Sequence, residues 1–263
     1  MSSFLLPCSR LRTTSPRVNP RFCRGFSSAS PSSGLARTSY IYPPQPLTYV
    51  SPRPTSSPLA NPSLNYTVAL EAELQSLPIL VSHRSQADAS EWYETRPFRG
   101  VPEDWKMKHL TAGTLRGPGK LALAPLVRVK KDESESLIIT HVGRMLCGHE
   151  GIVHGGLLAA LLDEGMGRTA INNMPGKIGF TANLSINYRA PTTADQFIVM
   201  KTKVTDTQGR KVWVDGLVQD VNGTVLADAK TMWVQPKYPQ LMDTKTFNQA
   251  LGEREPQLEP WAT

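Results

Sequence analysis

The sequence predicts an α+β domain: an antiparallel sheet of about six strands wrapped around one long central helix. Three observations lead there. The stretch from Gly148 to Ala170 passes from glycines through His154-Gly155-Gly156 into a run that is apolar on nearly every side, and such a helix belongs in a core. Two β-rich runs precede it and four follow it. The connectors among the later runs are short, which makes those strands antiparallel neighbours.

Charge is distributed unevenly along the 263 residues. Residues 1–70 hold seven arginines (Arg10, Arg12, Arg17, Arg21, Arg24, Arg37, Arg53), no lysine and no acid, which leaves 22 basic residues against all 22 acids in the remainder. The net charge of +7 therefore belongs to the leader and argues for no nucleic-acid partner of the folded part. An Arg- and Ser-rich segment without acids has the composition of a mitochondrial transit peptide, assigned to residues 1–30, with cleavage expected after Phe26 and a mitochondrial, matrix location. A basic tail without a targeting role is the other reading. No apolar run approaches the roughly 20 residues that span a bilayer, so no integral membrane span is expected.

Residues 31–62 are rich in Ser and Pro and are read as a linker. A helix is expected from Asn65 to Leu77, stopped by Pro78, with Val68, Ala72 and Leu74 on its packing side. It opens a segment, 63–110, that docks on the main domain at 111–236. Within it, Trp92, Tyr93, Phe98 and Trp105 are dense enough to cover a core edge, with a ligand lid as the second reading. Thr111 to Lys120 ends in Gly119-Lys120 but lacks the other glycine and the hydroxyl residue of a phosphate-binding P-loop, and reads as a turn.

Strands are expected at Leu121–Lys130, Ser136–Val142, Phe180–Tyr188, Gln196–Val204, Lys211–Gln219 and Thr224–Val234. Asp132-Glu133-Ser134, Gln208-Gly209 and Asn222-Gly223 are the hairpin turns. Residues 237–263 read as a tail.

The His-Gly-Gly entry, an acid nine residues after the His, and the strand Thr181-Ala182-Asn183-Leu184-Ser185-Ile186-Asn187-Tyr188-Arg189 together resemble the hotdog-fold acyl-CoA thioesterases. The likeness is to the phenylacetate-pathway and mitochondrial branch, and more closely to fungal mitochondrial members. It covers about residues 110–235. It implies hydrolysis of an acyl-CoA thioester, with coenzyme A entering as part of the substrate and no cofactor. It also implies assembly as a homodimer or a dimer of dimers, with Asp163 as general base or nucleophile and Thr181 or Asn183 holding the attacking water.

The residues support that chemistry independently. An oxyanion needs donors, and the first amides of a helix have no intrahelical acceptor, so Gly155 and Gly156 are the candidates. His154, entering the helix, shapes that loop or serves as a base. Gly155 and Asp163 are eight residues apart, about 12 Å along one helix at roughly 1.5 Å per residue, too far to serve one reacting centre. A composite site across a two-fold axis follows. Asp163 could instead pair with Arg168, and Glu164, the reserve base, could make an interface salt bridge. Arg189, Arg210 and Lys211 are candidates for the phosphates of coenzyme A.

Four other readings remain. A hotdog hydratase or dehydratase would use His149 with Asp163, fourteen residues apart. A non-catalytic acyl-CoA-binding dimer would need neither acid. A zinc site from His141, His149, His154 and Cys147 lacks any close-ligand pair, and Cys147 lacks a base partner for work as a nucleophile.

Overall fold

The structure, a computed structural model, describes residues 62–252 apart from residue 243. The leader, most of the linker and the end of the C-terminal tail lie outside the described residues.

Helices α1 (Pro62–Ser76) and α2 (Pro78–Arg84) come first, followed by strand β1 (Trp92–Thr95) and the single turn α3 (Glu103–Lys106). Strands β2 (Leu126–Lys130) and β3 (Glu135–Val142) form the first hairpin, and β4 (Cys147–His149) and β5 (Ile152–Val153) a small second one. The central helix α4 (Gly155–Asn172) precedes β6 (Phe180–Tyr188), β7 (Gln196–Gln208), β8 (Lys211–Asp220) and β9 (Val225–Val234), and α5 (Thr244–Leu251) closes the described chain.

Seven strands form one antiparallel sheet in the order β1-β2-β3-β7-β8-β9-β6, packed against α4 in a hotdog arrangement. The expected six become seven because the aromatic segment supplies β1. Tyr93 points into the core around α4, whereas Trp92 meets His83 of α2 edge-on and Glu94 pairs with Arg84. With both faces covered, β1 shows no polar alternation.

Pro125, which has no N–H to give a ladder, delays the second strand to Leu126 from the expected Leu121. β7 runs four residues beyond Val204, through a bulge between Val204 and Asp206. Helix α1 begins with Pro62 and buries Leu70 and Leu74 against Leu126, Leu137, Ile139, Phe197 and Val199 on the outer face of the sheet. The expected packing side is corrected: Val68 is 61% exposed and Ala72 is exposed, because the surface to be covered runs along Leu70, Leu74, Leu77 and Leu80.

Two glycines set how closely α4 approaches the sheet. A Cβ at Gly165 would lie 2.7 Å from the Met200 sulfur and 2.8 Å from a methyl of Ile138. One at Gly167 would lie 2.5 Å from two carbons of the Trp233 ring. No helix among the described residues is long and apolar enough to cross a membrane.

Candidate active site at the central helix

At the entrance to α4, His154 is the N-cap residue with extended backbone, and its Nδ1 accepts the Gly156 N–H at 2.9 Å. The ring therefore carries its proton on Nε2 when neutral. Its carbonyl begins the helical ladder by accepting from Leu157 at 2.9 Å. A Cβ on Gly156 would sit 2.9 Å from that same ring nitrogen, so the cap requires glycine there. The Gly155 N–H has no acceptor among the described residues. Its carbonyl accepts the Tyr188 hydroxyl at 2.8 Å, tying the helix start to the end of β6.

Asp163 lies two turns along α4, half-buried, and Thr181 of β6 donates its hydroxyl to Asp163 Oδ1 at 2.8 Å. Burial pushes the Asp163 carboxyl above the ordinary aspartate range, and the Thr181 hydrogen bond opposes this in part. Thr181 and Asn183 are two apart on β6, a spacing that puts side chains on one face of a regular strand, but the structure separates them. A bulge places Thr181 opposite Trp233 and Asn183 opposite Met232, one residue on along β9, so the two side chains point to opposite faces. Asn183 contributes only its carbonyl, which accepts from Thr231 at 2.7 Å.

Asp163, Glu164 and Thr181 line a cavity of about 440 Å³ between α4, the sheet and residues 97–125. Exposed Leu110, Phe180 and Thr181 mark its opening, and buried Leu121, Val127, Ile138 and Met200 its interior. The roof is the aromatic segment. Phe98, Trp105 and His109 form a cluster with ring centroids 4.8–6.1 Å apart, followed by a π-helical turn at Leu110–Thr114. The segment thus both covers the core edge and walls the cavity.

Glu164 is half-buried and not part of a surface ion pair. It shares a short hydrogen bond with the Thr111 hydroxyl, which lies 3.3 Å from His109 Nδ1, and the nearby Arg116 guanidinium partly offsets its charge. Burial still pushes the Glu164 carboxyl upward. His109 Nδ1 also accepts the Ala112 N–H at 3.3 Å. The Thr111 hydroxyl donates to Glu164. Arg168 does not pair with Asp163. It donates to the Leu251 carbonyl at 2.8 Å and lies 3.6 Å from Glu133, because its place on the helix turns it toward β1 and the first hairpin.

None of the proposed phosphate-binding cations lines the cavity. Arg189 is exposed, at the Tyr188 end of β6, and pairs with Asp228. Arg210 donates to the Gln235 carbonyl at 2.9 Å and Lys211 is exposed, both at the opposite end of the sheet, where Lys211 pairs with Val234 and Val234 with Phe180. His149 is exposed on β4 and does not line the cavity with Asp163. His141 is buried edge-on against Phe197, and among the described residues no group of three or more His, Cys, Asp or Glu side chains could hold a metal ion. Thr111, Arg116 and Trp233, which the sequence did not single out, belong to the cavity wall.

The profile of the thioesterase superfamily matches residues 150–227. An uncharacterised protein of Schizosaccharomyces pombe is 31% identical over 170 residues, covering 63% of this chain and 93% of that protein. A Candida albicans protein named as mitochondrial is 27% identical over 143 residues, covering 52% of this chain and 64% of that protein. Acyl-coenzyme A thioesterase THEM4 of Mus musculus is 30% identical over 105 residues, with 40% of this chain and 42% of that protein covered.

Proposed function

The chain belongs to the thioesterase superfamily, and from that premise we propose that it hydrolyses an acyl-CoA thioester to the free acid and coenzyme A. The observation that carries the reading is Asp163, a half-buried carboxyl held by Thr181 at the opening of an apolar cavity. A carboxyl whose proton affinity is raised by burial is suited to accept a proton from water, or the carboxylate can attack directly, beside a thioester carbonyl. Water adds to the carbonyl carbon, the C–S bond breaks, and the departing thiolate takes up the proton.

The oxyanion donor is the Gly155 N–H, since His154 engages that of Gly156. His154 is then the residue that shapes the entrance. Gly155 and Asp163 lie on one helix about 12 Å apart at roughly 1.5 Å per residue, so each site takes its amide from one subunit and its acid from the other. The β6 edge, where Phe180 is 52% and Tyr188 54% exposed, is the surface on which two copies meet. Arg189, at the Tyr188 end of that edge, is the better placed of the candidate cations for a coenzyme A phosphate. The leader and the name of the Candida albicans relative support a mitochondrial location.

The test is release of free thiol from acyl-CoA substrates by wild type and Asp163→Asn. Hydrolysis that falls by a factor of 100 or more in the variant, the range expected for loss of a general base or nucleophile, supports the reading. Release of thiol by neither protein, with acyl-CoA still bound, would leave a non-catalytic binding dimer in its place.

A further inference from the structure

Trp233 is 7% exposed, and its indole Nε1–H has no hydrogen-bond partner among the described residues. An indole N–H buried away from water is costly without an acceptor, and such a group marks a place where a water or a ligand atom belongs. Here it lies beside the site. Trp233 stands opposite Thr181, the residue that holds Asp163, and it lines the same cavity. Its ring lies over Gly167, where a Cβ would come within 3.3 Å of Cε2, the ring carbon bonded to Nε1. Gly167 follows Asp163 by four residues, about 6 Å along the helix at roughly 1.5 Å per residue.

Among the described residues the surroundings offer the N–H nothing to bond. Val127, Ile138 and Met200 make the inner wall apolar, and Glu164 is taken up by Thr111 across the cavity. The volume of about 440 Å³ falls within the rough range of 300–1,000 Å³ typical of small-molecule pockets. The roughly 6 Å from Asp163 to Gly167, over which the indole ring lies, is about the length of a few chain carbons.

Resting on the thioesterase reading, we infer that this cavity receives the acyl group, and that it selects acyl groups carrying a hydrogen-bond-accepting oxygen a few carbons from the thioester, with Trp233 Nε1–H as the donor. Trp233 is in this sense a specificity-determining residue. It reads an oxygen that plain saturated chains lack, and they would leave the N–H unpaired on binding.

The experiment compares kcat/KM for decanoyl-CoA, 3-hydroxydecanoyl-CoA and 5-hydroxydecanoyl-CoA in wild type and Trp233→Phe. One added hydrogen bond to a buried donor gives a preference of about tenfold for one oxygenated substrate. That ratio is expected to collapse toward one in the variant. A second measurement needs neither turnover nor a folded variant: the Trp233 indole ¹⁵N–¹H resonance of wild type is followed on adding the non-hydrolysable S-decyl or S-(hydroxydecyl) thioethers of coenzyme A. A downfield shift with an oxygenated thioether and none with S-decyl supports the inference. If no acyl-CoA is hydrolysed but that shift appears, the donor site stands and the hydrolytic reading falls. If hydrolysis proceeds with no oxygen preference and no shift, the inference is overturned and the hydrolytic reading stands.

Discussion

The Thr181 hydroxyl reaches from the edge strand β6 to Asp163 on the central helix, 2.8 Å from hydroxyl oxygen to Oδ1. The bond favours the carboxylate, while burial favours the neutral acid and prevails. Thr181→Val keeps the shape and removes the donor, so the Asp163 carboxyl should rise further. The acid limb of the kcat/KM profile is expected to move to higher pH by about one unit, the equivalent of one hydrogen bond to a charged group of about 1.4 kcal/mol. A pH–rate profile of the variant checks this, and an unmoved limb would separate Thr181 from the titration of Asp163.

Glu164 offers a stability test with a definite sign. Its folded carboxyl titrates above the ordinary glutamate range because burial penalises its charged form. Between the unfolded and folded values the native state binds the extra proton, so stability falls as pH rises through that window. Glu164→Gln keeps an acceptor for Thr111 and cannot ionise. Its melting temperature should therefore gain on that of wild type as pH rises through the window, with the difference smallest below the unfolded value. A difference independent of pH would mean that Glu164 does not change its charge on unfolding in that range.

The His154 cap is worth about 1 kcal/mol, typical for loss of an N-cap acceptor, and His154→Ala should lower stability by about that amount. His154→Asn restores an acceptor at the same position and should recover most of it. Thermal melts of the pair measure both. A cap role predicts rescue by Asn, whereas a proton-transfer role for the imidazole predicts restored stability without restored activity.

Much of this was legible because α4 and β6–β9 announce themselves locally. A helix apolar all round, an Asn222-Gly223 turn and strands of nine or more residues leave few alternatives. Asp163 was recognisable as an acid in an apolar helix, and Thr181 through the strand that carries it. What stayed hidden depends on contacts distant in sequence. Thr111 meets Glu164 across 53 positions, and nothing in the pattern around either residue specifies the other. The bulge that turns Asn183 away from Thr181 inserts one residue into a strand in which Thr181, Asn183 and Ser185 alternate with Ala182, Leu184 and Ile186, so strict alternation was the natural expectation. β1 was missed because four residues covered on both faces carry no period.

The proposed sharing of the site between two subunits makes the sharpest prediction. Gly155 is the first residue of α4, a position where proline fits a helix and where the only group lost is an N–H that the helix does not use. The preceding His154 already has the extended backbone that proline requires of its neighbour. Gly155→Pro should fold normally and lose about 100- to 1,000-fold in kcat through loss of the oxyanion donor. Asp163→Asn should be similarly inactive. Mixed in equal amounts and allowed to exchange subunits, about half the dimers become hybrids, and each hybrid holds one site with both an intact Gly155 and an intact Asp163. The mixture should recover about a quarter of wild-type activity, a figure that follows from random pairing across a two-fold axis. If hybrids form, as native mass spectrometry would show, and activity stays at the level of the separate variants, amide and acid do not meet across the interface.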